Sequence, residues 1–249
     1  MTVVERELDG RVVLLTGASG GIGQALGRRL IGAGARVAFT YGSRSLVAER
    51  LVAEAKGAGL EAIALPGDLA DPRTPARLVR ETTRVLGPIE VLIANAGFAA
   101  QQAITDVDLE TWDRTLLVNL RAPFLLAQQV LPTMLELGYG RLLFMSSVAG
   151  FTGGVVGPHY AASKAGLHGL VHFLAPRVAA HGVTVNAVAP ALIEDTGMLP
   201  TAPDGVPAVP IPVSRYGRPE EVADLTMAVL RNGYLTNQVL SLDGGIYPR

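Results

Sequence analysis

The sequence predicts an α/β protein built on a doubly wound parallel sheet of about seven strands flanked by helices, and three observations predict it. Short β-branched and leucine-rich runs alternate with stretches of helical periodicity, four strand-then-helix units falling within the first 120 residues. Parallel strands require such crossovers, and the crossovers are right-handed. The first run ends in Gly17-Ala18-Ser19-Gly20-Gly21-Ile22-Gly23 and leads into a helical pattern. In that context backbone N–H groups approach a diphosphate closely and the helix N-terminus favours its charge. The composition agrees: 49% hydrophobic and 17% charged residues, with mean hydropathy +0.34, suit a globule with extensive buried or subunit-facing surface.

The bounds are set by length and charge. The 249 residues can bury a core of their own and show no internal repeat, low-complexity tract or second-domain boundary, so one domain over 1–249 is expected. A net charge of −1 offers no basic excess to meet nucleic-acid phosphates. There is no cysteine, which excludes disulfides and cysteine-metal sites, and no metal site is expected. Met1 to Gly10 lacks an apolar signal core, and no run of 18 apolar residues follows, so a cytoplasmic protein without a membrane segment is expected. Only two of the 21 basic residues are lysine, Lys56 and Lys164.

The first strand is Val12 to Thr16. In the helix after it Ile22, Leu26 and Leu30 share a face, and Gly32 and Gly34 stop it. The turn spacing is Gly-x-x-x-Gly-x-Gly; a purely structural strand-to-helix turn is also glycine-rich. The second strand, Arg36 to Tyr41, is followed by Gly42-Ser43-Arg44 and a helix from about Ser45 to Lys56. An acid at this strand's end serves the ribose hydroxyls of NAD, whereas an arginine accommodates the 2′-phosphate of NADP. No acid lies between Arg36 and Arg44, so NADP is expected over NAD, with Arg44 as the cation, Ser43 as a donor and Tyr41 beside them. The alternative for Arg44 is an ordinary solvated loop charge.

The third strand, Glu61 to Leu65, leads to Gly67-Asp68-Leu69, and Asp71-Pro72 is expected as N-cap and first residue of a helix to Leu86. The fourth, Val91 to Ala94, ends in Asn95-Ala96-Gly97. Helices are expected over Leu109 to Leu117 and Asn119 to Leu137, with Pro123 and Pro132 as irregularities. Strand five is Arg141 to Met145 and strand six Val183 to Val188, with a helix from Tyr160 to Ala175 between them. Pro200, Pro203, Pro207, Pro210 and Pro212 fall within thirteen residues, so about 191–213 is expected to be a loop or lid over the site. Helix Pro219 to Arg231 and strand Val239 to Leu242 close the fold. Ligands of such sheets bind beyond the strands' carboxyl ends, where the glycine turn, Asp68, Asn95 and Ser147 converge.

Between strand five and its helix lies the stretch that carries chemistry. Tyr160 and Lys164 are four apart in a proline-free segment, so a helix sets them on one face. Free tyrosine titrates near pH ~10 and lysine near ~10.4, and an adjacent ammonium favours the phenolate. A general acid or base works best with its pKa near the operating pH, so a tyrosine lowered by Lys164 is suited to proton transfer at an alcohol or carbonyl oxygen. Ser147, just past the apolar run, would donate to that same oxygen; strand alternation points its neighbour Ser146 the other way. Taken alone, such a pair is also what chance places on a helix surface.

Thr16-Gly17-x-x-x-Gly21-x-Gly23, Asn95-Ala96-Gly97, Asn119, Ser147 and Tyr160-x-x-x-Lys164 together resemble the short-chain dehydrogenase/reductase family, a single-domain Rossmann fold. The match extends to Asp68-Leu69, Gly217-Arg218-Pro219-Glu220-Glu221 and Asp243-Gly244-Gly245, nearly the whole chain. The resemblance implies that Tyr160 protonates the carbonyl oxygen or takes up the alcohol proton. Lys164 would lower its pKa and hold the nicotinamide ribose, Ser147 would polarise the substrate oxygen, and Asn119 would hold a water linking Lys164 to solvent. It implies a cofactor set of Gly17, Ser19, Gly20, Gly21, Ile22 and Gly23 in the turn. Asp68 and Leu69 would touch adenine, Asn95, Ala96 and Gly97 would line the cofactor, and Pro190, Ile193 and Thr196 would meet the nicotinamide end. The family's thirteen-residue step from serine to tyrosine selects Ser147 over Ser146.

Departures touch geometry more than chemistry. Gly20 stands where NADP-users of the family often carry a basic residue, Pro190-Ala191 replaces Pro-Gly, and Thr236-Asn237-Gln238 stands where Thr-Gly is usual. Within the family the chain looks most like the 3-oxoacyl-[acyl-carrier-protein] reductases, which implies an NADPH-dependent 3-oxoacyl thioester reductase. Arg177 is the one obvious candidate for docking an acyl carrier protein. The alternatives are another carbonyl or alcohol, such as a small ketone, sugar, steroid or polyketide, and a non-catalytic dinucleotide-binding protein. His159 is a candidate for the substrate pocket or a packed histidine. The family usually forms homotetramers through the long helices flanking the site, and Leu117, Leu120, Phe124, Leu125, Leu167, Leu170 and Phe173 are compatible with that.

Overall fold

Seven runs of β-forming residues become seven parallel strands of one sheet. The computed structural model describes residues 7–197 and 210–247. The strands are β1 (Val12–Leu15), β2 (Arg36–Tyr41), β3 (Ala62–Pro66), β4 (Val91–Ala94), β5 (Gly140–Met145), β6 (Val183–Pro190) and β7 (Gln238–Leu242), in spatial order β3-β2-β1-β4-β5-β6-β7. Every strand pair is parallel. The direction of winding reverses between β1 and β4, which opens a crevice at their carboxyl ends.

The helices are α1 (Gly21–Gly32), α2 (Ser45–Gly57), α3 (Thr74–Leu86), α4 (Leu109–Leu116), α5 (Ala122–Leu137), α6 (Ala149–Thr152), α7 (Pro158–Val178) and α8 (Pro219–Arg231). Strand periodicity divides the core in two. Val13 and Leu15 of β1 pack with Leu26 and Leu30 of α1, Leu51 of α2 and Val222 of α8 on one face. Val12 and Leu14 pack with Leu126 and Val130 of α5 and Leu167 and Val171 of α7 on the other. Because both faces of the sheet are covered, the strands are continuous apolar runs without alternation.

Four local expectations are corrected. Asp71 does not cap α3: its carboxylate accepts from the Arg73 N–H at 2.9 Å, forming a separate turn, and the helix starts at Thr74 with Pro75 in its first turn. The two helices expected to meet near Asn119 are joined through a π-helical turn, Leu117–Arg121, so Pro123 opens α5 rather than disturbing it. Helix α7, preceded by the short α6, starts at Pro158 and extends past Ala175 to Val178, with Pro176 inside it. Strand β6 runs on to Pro190, every residue of it buried. Pro200, Pro203 and Pro207 of the expected lid lie outside the described residues. The base of that segment is held where Ile193 and Gly217 bridge in parallel, with Glu194 N–H donating to Gly217 O at 3.0 Å. Among the described residues no helix is long and apolar enough to cross a membrane.

Candidate active site

A cleft of about 640 Å³ opens at the strands' carboxyl ends and runs from Arg44 to Tyr160. Each residue expected for cofactor or catalysis lines it except Asn119. The glycine turn is shaped by protein as much as by any ligand. A Cβ on Gly23 would sit 2.1 Å from Gly17 O, and one on Gly21 would sit 2.3 Å from Asp195 O, so the turn seats the 193–196 segment by close backbone approach. A Cβ on Gly20 would meet nothing nearer than Gly17 O at 3.5 Å, ordinary contact. Thr196, whose hydroxyl donates to Ile193 O at 3.1 Å, is thereby placed over the turn.

The turn is pinned from β4. Asn95 donates through Nδ2 to Thr16 O at 3.0 Å and Gly17 O at 3.2 Å, while Thr16 Oγ1 accepts from Asn95 and Ala96 N–H, both at 3.0 Å. Thr16, the first residue of the glycine motif, is therefore a site-building residue that joins β1 to the turn after β4. At the other edge Tyr41, Ser43 and Arg44 line the cleft with no carboxylate among them. Asp68 accepts from Ala70 N–H at 3.0 Å and lies 4.0 Å from Arg114, a helical charge that carried no sequence signal for the cleft it lines.

Ser147, Tyr160 and Lys164 are buried together at the cleft floor. Ser147 Oγ accepts from Ala149 N–H at 3.2 Å, donates to Pro190 O at 3.3 Å and is hydrogen bonded to the Tyr160 phenol. The Lys164 ammonium donates to Met145 O at 2.8 Å and lies 5.5 Å from the Tyr160 ring centroid. The expected lowering of Tyr160 is not what the structure gives. Burial pushes the phenol up to about 12, against a smaller downward pull from Ser147, and burial lowers Lys164 to about 8. Desolvation disfavours both charged forms.

Asn119 lies behind the cleft lining rather than in it. It is fully buried, its Oδ1 accepts from Phe98 N–H at 2.7 Å, and its Nδ2 donates to Phe98 O at 2.9 Å and Ser163 Oγ at 3.1 Å. The π-helical turn that carries it thus ties the loop after Gly97 to α7, and the side chain is committed to protein partners. His159 is also fully buried, hydrogen bonded through Nε2 to Ala100 O at 2.9 Å, and is a packed histidine rather than a lining one. Val156, Ile246 and Tyr247 complete the lining from segments without a chemical signature.

The glycine turn, the cation at the end of β2 and the Ser-Tyr-Lys floor form one continuous groove, a shape and charge that fit a dinucleotide. Comparison with known proteins agrees. The family model described as short chain dehydrogenase matches residues 11–206. A 3-oxoacyl-[acyl-carrier-protein] reductase of Synechocystis sp. is 36% identical over 246 residues, 96% of this chain and 98% of that protein. An L-rhamnose 1-dehydrogenase (NAD(P)(+)) of Sphingomonas sp. is 32% identical over 247 residues, 96% of this chain and 97% of that protein. Among solved structures, a blue fluorescent protein from a metagenomic library in complex with NADPH superposes with TM-score 0.89 at 36% identity, covering 97% of this chain and all of that one. The chain therefore belongs to the short-chain dehydrogenase/reductase family and is an oxidoreductase.

Proposed function

We propose that the protein is an NADPH-dependent reductase of a 3-oxoacyl thioester, converting its ketone to a secondary alcohol. The observation that carries this reading is the buried Ser147-Tyr160-Lys164 floor at one end of a cleft whose other end presents Arg44 at the close of a stretch, 36–44, that holds no acid. When bound, a nicotinamide dinucleotide supplies the hydride chemistry. The chain's own residues do the rest. The glycine turn and α1 N-terminus hold the diphosphate, and Arg44 with Ser43 receives the 2′-phosphate. Ser147 donates a hydrogen bond to the substrate oxygen, and Tyr160 gives that oxygen its proton. A phenol pushed up to about 12 is protonated at neutral pH and ready to donate, the form that reduction requires. Lys164, charged below about 8, stabilises the phenolate left behind.

The substrate class follows from the walls. The segment between Ser147 and Tyr160 contributes Val148, Ala149, Thr152, Gly154, Val155 and Val156 to the lining, with no charged side chain. Such a surface accommodates an acyl chain, whereas a polyhydroxylated sugar would leave its hydroxyls desolvated and unpaired. The names of the Synechocystis relative and of the NADPH complex support the same reading. We place the helices α4, α5 and α7 at subunit contacts of a homotetramer, with one domain per chain.

The test is the initial rate of NADPH oxidation with an acetoacetyl thioester, beside NADH, beside L-rhamnose with NADP⁺, and beside Tyr160→Phe. NADPH-dependent thioester reduction lost in the variant is the expected result. Turnover of the sugar alone would move the substrate, and a preference for NADH would overturn the role of Arg44.

A further inference from the structure

Behind the catalytic floor lies a second polar link that the proposed reaction does not use. Ser146, 3% exposed, points away from Ser147 and donates from Oγ to the main-chain oxygen of Lys164 at 3.1 Å. The same Oγ lies 2.8 Å from His168 Nε2. A serine hydroxyl has one proton, and in the arrangement where it goes to Lys164 O, Ser146 accepts from a His168 tautomer protonated on Nε2. His168 is one helical turn beyond Lys164 on α7. Its ring stacks on Phe151 of α6, centroids 4.3 Å apart at 36°. Gly150 completes the joint: a Cβ there would fall 2.8 Å from His168 Cε1 and 2.9 Å from both Ala165 N and Lys164 C, so α6 presses directly onto the peptide following Lys164.

Lys164 is thus held at both ends by consecutive residues of β5 and its exit. Met145 O takes the ammonium and Ser146 takes the backbone. We propose that His168 is a positioning residue for Lys164, acting through Ser146. It locks the Ser146 hydroxyl onto Lys164 O and braces α6, whose first residue Ala149 and the preceding Val148 line the cleft. This rests on the assignment of Lys164 to the reaction. Without His168, Ser146 is free to rotate, the turn of α7 that carries Lys164 loses its register against β5, and Nζ no longer meets the phenol at a fixed height.

The chain's two lysines make the test direct, because Lys56 is exposed and Lys164 is buried. In protein labelled with ¹⁵N at the lysine side chains, His168→Leu and Ser146→Ala are expected to shift or broaden the Lys164 signal and leave Lys56 unchanged. His168→Gln, whose amide N–H reaches a similar distance, should return it towards the native position. In thioester reduction His168→Leu should lose about tenfold or more in kcat with KM within about twofold, and His168→Gln should recover most of that. An unmoved Lys164 signal in both Leu and Ala variants overturns the proposal, as does a moved signal with native kcat. Turnover that survives Tyr160→Phe would instead overturn the reaction assigned to the Tyr-Lys pair, while the ¹⁵N result still decides whether His168 positions Lys164.

Discussion

At the scale of the residue, the site works by controlling desolvation. Tyr160 and Lys164 are both buried, and burial moves their proton affinities in opposite directions, the phenol up to about 12 and the amine down to about 8. Reduction needs the phenol protonated and the amine charged, so kcat for NADPH-dependent reduction is expected to be flat near neutrality and to fall as pH rises through about 8; a pH-rate profile at saturating substrate checks this. Tyr160→Phe removes the proton donor and should cost about 10²- to 10⁴-fold in kcat. Gly20 offers a gain instead. Its missing Cβ points into space that the fold does not fill, unlike those of Gly21 and Gly23, so Gly20→Arg should fold normally and add a second cation near the 2′-phosphate. The NADPH-to-NADH ratio of kcat/KM is expected to rise about tenfold, the worth of one charge-assisted hydrogen bond.

At the scale of the element, the π-helical turn between α4 and α5 matters most. It carries Asn119 to three hydrogen bonds, two with Phe98 and one with Ser163, and so couples the wall after Gly97 to the helix that bears Tyr160 and Lys164. Asn119→Ala strips Phe98 N–H and O of their side-chain partners and removes the bond that Ser163 Oγ accepts, for a loss of about 2–4 kcal/mol, read from the midpoint of urea unfolding. Asn119→Asp should keep the bond from Phe98 N–H and lose the two that Nδ2 donates. The element scale is also where sequence reasoning fell short. The two helices expected over 109–137 are present, but the π-helical turn that joins them at Leu117–Arg121 carries no periodic signal, and Pro123, expected as an irregularity within the second helix, falls directly after that turn in the first turn of α5. Helix α6 is only four residues long, below what periodicity can reveal.

At the scale of the whole molecule, an apolar groove of about 550 Å³ runs between α4, α5 and α7, lined by Leu116, Leu117, Leu120, Phe124 and Leu170. On the proposed homotetramer it is a subunit contact. A Cβ on Gly169, an exposed residue of its lining, would meet nothing within 4 Å, so Gly169→Arg should leave the fold intact and lower the sedimentation coefficient to that of a smaller assembly. Stability should also follow the buried pair. The unfolded chain keeps Lys164 protonated to about 10.5 while the folded chain releases that proton near about 8, so the unfolded state binds more protons in that window and stability rises with pH. Tyr160 reverses this above about 10, where the unfolded phenol ionises and the folded one does not until about 12. The urea midpoint is expected to climb from about pH 8 to about pH 10 and fall beyond it.

The sequence by itself determined the order of strands and helices along the chain, a site beyond the strands' carboxyl ends, and the glycine-turn, Asp68, Asn95 and Ser-Tyr-Lys residues that line it, because hydrophobic periodicity, glycine spacing and the Tyr-x-x-x-Lys step are local properties. Strands β2 and β4 and helix α8 begin and end where the residues indicated. Only the tertiary structure decided the partners of Asn119, the presence of Arg114 and Tyr247 in the cleft, and the link from His168 through Ser146 to Lys164. It also reversed the direction in which Tyr160 is shifted. Each of these depends on segments far apart in the chain meeting in a low-dielectric interior, and desolvation exists only once the molecule has packed.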